Sequence, residues 1–406
     1  MTGARRLFAL ILIAGVFVMD GYDLNAMPLA VPRLADPLGL DPADFGVVFA
    51  APMIGLGIGG LVFAPLGDRF GRRILIVGGC LLVSLVTWLT THATTVSWFV
   101  VWRFLTGLFL GAALPNCTAL SAELAPPRLR ATIMMLVSTG LIFGALSAGL
   151  SAPALDRAMG WQGLLYTPAI LALVVAVMLW FILPGGAPKA EAATPRKAGL
   201  PQIELLRRPW LFPFAIFAIA LTMNSLNLYL ITSWSPTLLP QAGFTKDQAS
   251  YVTGLMQGVG LPIGLAMSVL IDRWKPGATL VTAFALNTAL FAAVLLTPPD
   301  PGLWTGLLLA GAGIVTALGM SLAAIAAYAF PSRLLSSAMG AGVFIARIGA
   351  IVGPMIGATM MRAGASPGTI LGIVALPAAI GALACLWVPA GLRVKGWVEA
   401  ETAARA

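Results

Sequence analysis

Twelve apolar runs, each long enough to cross a bilayer, dominate this chain and leave few folds open to it. They lie at about 7–32, 46–66, 74–92, 97–121, 131–152, 162–184, 210–235, 248–270, 277–297, 303–327, 337–361 and 368–390, with short polar breaks between them. A spanning helix needs about 20 predominantly apolar residues. Inside a bilayer every backbone N–H and C=O must find its partner within the chain, so runs of this length read as helices. Charge agrees: only 10% of the 406 residues are Asp, Glu, Lys or Arg, against about 25% in ordinary soluble domains. So few charges cannot coat a water-soluble particle of this size. The expected fold is all-α and polytopic, with twelve transmembrane helices and no appended soluble domain.

Residues 7–19 follow Arg5-Arg6 in the manner of a secretory leader. Apolarity resumes after Asp23, however, and no A-x-A-like cleavage site follows, so the run reads as a first span interrupted by two acids. With the N-terminus placed in the cytoplasm, 18 Lys/Arg fall on the inside and four on the outside (Arg33, Arg157, Lys246 and Arg362). Positive charge collects on the cytoplasmic side of membrane proteins, which puts both termini there, in a bacterial-type inner membrane. The net charge of +9 is therefore a topology signal, and no nucleic-acid partner is expected. Cys80, Cys117 and Cys385 all fall in apolar runs and give neither a disulfide framework nor a metal spacing. The single histidine, His92, excludes a multi-His metal site.

A connection at 185–209, rich in Pro, Gly, Ala and Lys/Arg, divides the chain into halves, 1–184 and 210–406. The halves echo each other. Each has a short acid–base turn after its second run, Asp68-Arg69-Phe-Gly-Arg72-Arg73 in one and Asp272-Arg273-Trp274-Lys275 in the other. Each has a glycine-rich fifth run, with Gly140, Gly144 and Gly149 matched by Gly349, Gly353 and Gly357. Two pseudo-symmetric six-helix bundles with a central loop are the plan of a rocking transporter with its site between the halves.

Four charged residues inside the runs carry the chemistry. Asp20 and Asp23 lie three apart in the first run and so share one helix face. A mid-membrane carboxylate costs about 2.5–3.5 kcal/mol even on insertion scales, and such groups mark relays and binding sites. Burial and mutual repulsion favour a proton on at least one of the two, which makes the pair the expected proton-coupling site. The opposing possibility is permanent neutralisation by an arginine. Arg347, midway along the eleventh run, offers a planar set of donors suited to a carboxylate, either the substrate's or that of Asp20 or Asp23. Arg103, nearer the outer end of the fourth run, either takes part in proton coupling or snorkels to the surface. Gly107 and Gly111 beside it suit close helix packing.

These motifs carry a family resemblance. Ala64-Pro-Leu-Gly-Asp68-Arg69-Phe-Gly-Arg72-Arg73 resembles the signature loop of the major facilitator superfamily, G-x-L-[AG]-D-[RK]-x-G-[RK]-[RK], with Ala64 in place of the first glycine. Asp20-Gly21-Tyr22-Asp23 resembles the first-span motif of the aromatic acid:proton symporter family within it. Leu114-Pro-Asn116, Glu123 through Arg130-Ala-Thr, Ser233-Trp234-Ser-Pro236 and Ala346-Arg347 through Pro354 are similar to other stretches of that family. Gln162 and the Asp272 turn depart from the pattern. The resemblance covers about residues 10–390 and implies the major facilitator fold and proton-coupled uptake of a small aromatic carboxylate, such as a benzoate or hydroxybenzoate. It implies proton coupling by Asp20 and Asp23 and a positive partner at Arg347. Tyr22, Asn116, Asn224, Asn227 and Tyr229, with Tyr328 as an addition, are candidate substrate contacts. A conformational latch is expected from Asp68, Arg69, Arg72, Arg73, Glu123 and Arg130.

No cofactor beyond the coupling proton is expected, and the chain is expected to work as a monomer in the lipid bilayer. The competing readings are a transporter of another organic acid, a drug or metabolite exporter, a membrane enzyme, and a channel or receptor. The sequence holds no G-x-S-x-G, H-E-x-x-H or G-x-x-x-x-G-K-[ST] motif, so hydrolysis and ATP-driven pumping lack their residues.

Overall fold

A computed structural model of the chain describes residues 3–183, 204–273 and 275–395, without the side chains of Asp68, Ala131, Ala324 and Ser332. Most of the expected 185–209 connection, Trp274 and the last residues lie outside the described set. The described residues contain no strand. Twelve helices are long and apolar enough to cross a membrane. They are α1 (Gly3–Leu38), α2 (Pro42–Phe63), α3 (Arg72–Thr90), α4 (Val96–Leu124), α5 (Thr132–Met159), α6 (Gln162–Ile182), α7 (Leu211–Gln241), α8 (Lys246–Arg273), α9 (Pro276–Leu296), α10 (Pro301–Ala329), α11 (Arg333–Arg362) and α12 (Pro367–Lys395).

Each helix coincides with one apolar run, but several outrun it. The first run ends near residue 32, whereas α1 continues to Leu38 through Pro28, Pro32 and Pro37. Prolines are tolerated in membrane helices because neighbouring groups re-satisfy the freed carbonyls. Between Pro28 and Pro32 the Arg33 side chain adds a donor to Leu29 O at 2.8 Å. Local sequence sets the ends. Asp300 caps α10 by accepting from the Leu303 amide at 2.7 Å, with Pro301 at the first helical position. Ala125 turns extended before Pro126-Pro127 and stops α4. Gly71, at φ +97°, makes the sharp entry into α3 in a conformation closed to residues with a Cβ. Arg5 covers the carbonyl end of α6, donating to Ile182 O at 2.9 Å.

Packing divides the described residues into two compact units, one within Met1–Ala192 and Thr232–Gly258, the other within Ala193–Ile231 and Val259–Ala406. The first unit thus includes the C-terminal part of α7 and the N-terminal part of α8. Inside it α1 lies directly on α5: a Cβ on Gly144 would stand 2.0 Å from Val18 O. Gly107 of α4 meets Pro52 of α2 at the same kind of distance, 2.1 Å, which is the close packing that glycines at four-residue spacing permit. The second unit repeats the α1–α5 device with α7 and α11, where a Cβ on Gly349 would stand 2.2 Å from Thr222 O. Its core is aromatic, with Phe217 and Phe330 edge-on at 6.0 Å and Phe284 fully buried.

Candidate functional site

In the first unit α1 crosses α3 and α4 at the acidic pair. Asp23 is 0% exposed and Arg103 1%. One terminal nitrogen of Arg103, Nη1, stands 2.9 Å from each carboxylate oxygen of Asp23. The other, Nη2, donates to Asp23's own carbonyl at 3.1 Å. Thr87 of α3 adds a hydroxyl donor to Asp23 Oδ1 at 3.3 Å. Three helices therefore converge on one carboxylate far from solvent. The snorkelling expectation for Arg103 fails: reaching the interface gains hydration, but a facing carboxylate cancels the charge where it already is. Such a pair has two neutral-cost arrangements, the ion pair itself or a protonated acid with the arginine handed to another anion. The pair sets a titratable carboxyl beside a fixed cation.

Asp20, one turn earlier on α1, is also buried, at 2% exposure. The three-residue spacing puts both acids on one face of α1. Tyr22 turns the other way. Its hydroxyl is 2.8 Å from Ser151 Oγ on α5 and it is 4% exposed, so it pins α1 to α5. Asn116 is likewise committed. Its amide nitrogen donates to Ala112 O at 2.8 Å and to Ala64 O at 3.1 Å. Its Oδ1 fills the space where a Cβ on Gly67 would stand, 1.9 Å away. It ties α4 to the signature turn, because a short amide buried beside an exposed backbone carbonyl satisfies both.

At that turn Arg72 pairs with Glu123 at the end of α4, as the sequence suggests. Arg73 donates to Trp180 O, and its guanidinium lies 4.3 Å from the Trp180 ring centre. Arg69 stacks on its neighbour Phe70 at 5.5 Å. Arg130 is exposed and makes no hydrogen bond or ion pair among the described residues. The Asp68 side chain lies outside the described set. Arg72–Glu123 thus ties the turn to α4, and Arg73 ties it to α6.

In the second unit Asn224 and Asn227 are buried on α7, at 4% and 0% exposure. Both amide atoms of Asn227, and Oδ1 of Asn224, have no hydrogen-bond partner among the described residues. Such groups are costly unless something else satisfies them, so these two keep their capacity for a ligand or water. Gly319 of α10 lies against Asn224. Tyr229 is half-buried on the same helix. Arg347 is half-buried on α11. Tyr328 is exposed and donates to Asp272 Oδ1 at 3.1 Å, away from the other polar positions. No group of three or more His, Cys, Asp or Glu able to hold a metal occurs among the described residues.

Thr87 and Ser151 escaped the sequence reading because hydroxyls are common in membrane helices and carry no signal until a partner faces them. Arg33 escaped as well. It was counted as an outside charge, yet its side chain is 3% exposed and pairs with Asp156 at 2.9 Å. The one available hint was charge complementarity: acids at 156 and 247 close other connections on the same side.

The sequence profile of the Major Facilitator Superfamily matches residues 11–354. The chain is 30% identical to the 4-hydroxybenzoate transporter of Pseudomonas aeruginosa, over 91% of this chain and 90% of that protein. It is 32% identical to the 3-(3-hydroxy-phenyl)propionate transporter of Escherichia coli, over 86% and 85%. Among solved structures, a bacterial homologue of the human lysosomal transporter Spinster, inward-facing and occupied, superposes with a TM-score of 0.77 at 15% identity, covering 97% of each chain. A D-xylose–proton symporter superposes at 0.71 and 18% identity, over 94% and 97%; these two likenesses speak for the fold. With twelve helices, the signature turn, the paired glycine contacts and a buried carboxylate–guanidinium pair in place, this transport protein belongs to the Major Facilitator Superfamily.

Proposed function

We propose that this protein takes up a small aromatic carboxylate together with a proton, by alternating access, in a bacterial-type inner membrane with both termini in the cytoplasm. The observation that carries the proposal is the Asp23–Arg103 pair, buried to 0% and 1% exposure. The names of relatives at 30–32% identity over most of the chain support the substrate class. In this reading the resting pair is neutral. A proton arriving at Asp23, or at Asp20 beside it, frees positive charge that an incoming carboxylate then balances, so each ligand favours the other. Arg347 is the second cation available to the carboxylate, and Asn224 and Asn227 are the donors and acceptors available to ring hydroxyls. Neither coupling nor binding involves a cofactor, and one chain carries out the cycle.

The test uses purified protein in proteoliposomes with labelled 4-hydroxybenzoate, benzoate, shikimate and a hexose, with and without an inward proton gradient. Accumulation of the aromatic acids alone, abolished by a protonophore, is the expected result. Gradient-independent equilibration would overturn proton coupling, and preference for shikimate or the hexose would overturn the substrate class.

A further inference from the structure

The densest polar contact outside the acidic pair lies at the other end of α1. The Arg33 side chain is 3% exposed, and its donors are spent on four acceptors. Nε donates to Asp156 Oδ2 of α5 at 2.9 Å, and Nη1 to Leu29 O at 2.8 Å. Nη2 donates to Ser250 Oγ at 3.0 Å and to Lys246 O at 3.4 Å, both on α8, with Asp247 Oδ1 at 3.8 Å. All of these residues belong to the first compact unit. A second pair, Arg157–Asp247 at 2.9 Å, sits beside it but is 65% and 44% exposed.

Burial separates the two pairs. An exposed ion pair is screened and contributes little. A buried guanidinium carries a large desolvation penalty and is tolerable only while every partner stays in place. Just inward of this contact, α5 and α8 touch backbone to backbone: a Cβ on Gly149 would stand 2.5 Å from Gly254 Cα. No side chain lies between the helices there, so neither water nor a solute passes. If the first turn of α8 moves away, Arg33 loses two acceptors and must find water instead. Two states would satisfy the guanidinium, the dry and closed one seen here and a hydrated, open one.

We propose that Arg33 is a gating residue of the transport cycle: it fastens the outer end of α8 to α1 and α5, and its release admits substrate from outside. The side of the membrane rests on the topology proposed above. Asp156 and Ser250 hold the arginine, whereas Arg157–Asp247 is dispensable.

The test places a reporter thiol at Thr253→Cys, on the turn of α8 after Ser250, where the residue is 1% exposed. Cys80, Cys117 and Cys385 are all buried, so the chain without the reporter gives the background. Labelling by a membrane-impermeant maleimide is followed in right-side-out and inside-out vesicles. In the Thr253→Cys parent it is slow. Added Arg33→Gln raises the rate from outside by about tenfold, the population shift expected when a closed state loses its fastener. Added Arg157→Gln leaves it within about twofold, as an exposed pair should. Ser250→Ala, which removes one acceptor only, gives an intermediate rate and serves if Arg33→Gln does not reach the membrane. Unchanged labelling from both sides in Arg33→Gln or Ser250→Ala, or equal acceleration by Arg157→Gln, would overturn the proposal. Acceleration seen only from the inside would leave the gate standing and invert the topology.

Discussion

Replacing Arg103 with methionine keeps an unbranched apolar stem and removes the charge, leaving Asp23 at 0% exposure with Thr87 as a hydrogen-bond donor at 3.3 Å. Stranding one member of a buried pair costs about 3–5 kcal/mol, and no solvent discount applies where the partners are 1% and 0% exposed. Asp23 has one escape, which is to hold a proton. Asp23→Leu alone strands Arg103, which has no such escape because a guanidinium does not deprotonate. The double variant, Asp23→Leu with Arg103→Met, removes both charges and should recover most of the loss, since a buried pair replaced by apolar groups is close to neutral. The three buried cysteines make the assay direct. A thiol-reactive fluorophore reports unfolding of purified protein in detergent as they become accessible. Each single variant should unfold several degrees below wild type, and the double variant should lie above either single one. The coupling expected for neighbours in contact is about 0.5–3 kcal/mol. Additive losses would refute the reasoning, because they would mean that Asp23 and Arg103 do not satisfy each other.

Asp20→Asn and Asp23→Asn should each reach the membrane yet lose accumulation against a gradient, measured as uptake of labelled 4-hydroxybenzoate. Full accumulation by both would move the proton site elsewhere. Arg347→Lys keeps the charge and loses the planar fork, so binding of the acid to purified protein should weaken by about tenfold while some transport survives. Equal affinity at every pH would exclude Arg347 as the carboxylate's partner. Gly144→Ala must push α1 off α5, since its Cβ would lie 2.0 Å from Val18 O. Overpacking of this kind costs about 1–3 kcal/mol, so its unfolding midpoint should fall, whereas Gly78→Ala, with nothing within 4 Å, should not shift it. Equal midpoints for the two would show that the α1–α5 contact tolerates separation.

The number of spans, their positions and the two intramembrane acids were legible in the sequence. Apolar runs of bilayer length are dictated by the solvent that surrounds them, so twelve helices were legible without any knowledge of their neighbours. Asp20 and Asp23 stood out for the same reason: a carboxylate in such a run is expensive wherever the chain goes. Pairing was another matter. Arg103 and Arg347 are both arginines in apolar runs, and only the approach of α4 to α1 gave Asp23 its partner at 2.9 Å. Tyr22 sits between the two acids in the chain, but a 100° step per residue turned its hydroxyl to Ser151. Asn116 read as an available amide until the signature turn was found packed against it. Arg33 read as one of four outside charges, and its burial depends on Asp156 and Ser250, which lie 123 and 217 positions away in the chain. A span is a property of one segment and its solvent. A buried ion pair belongs to two segments whose meeting is set by packing, and that was decided in three dimensions.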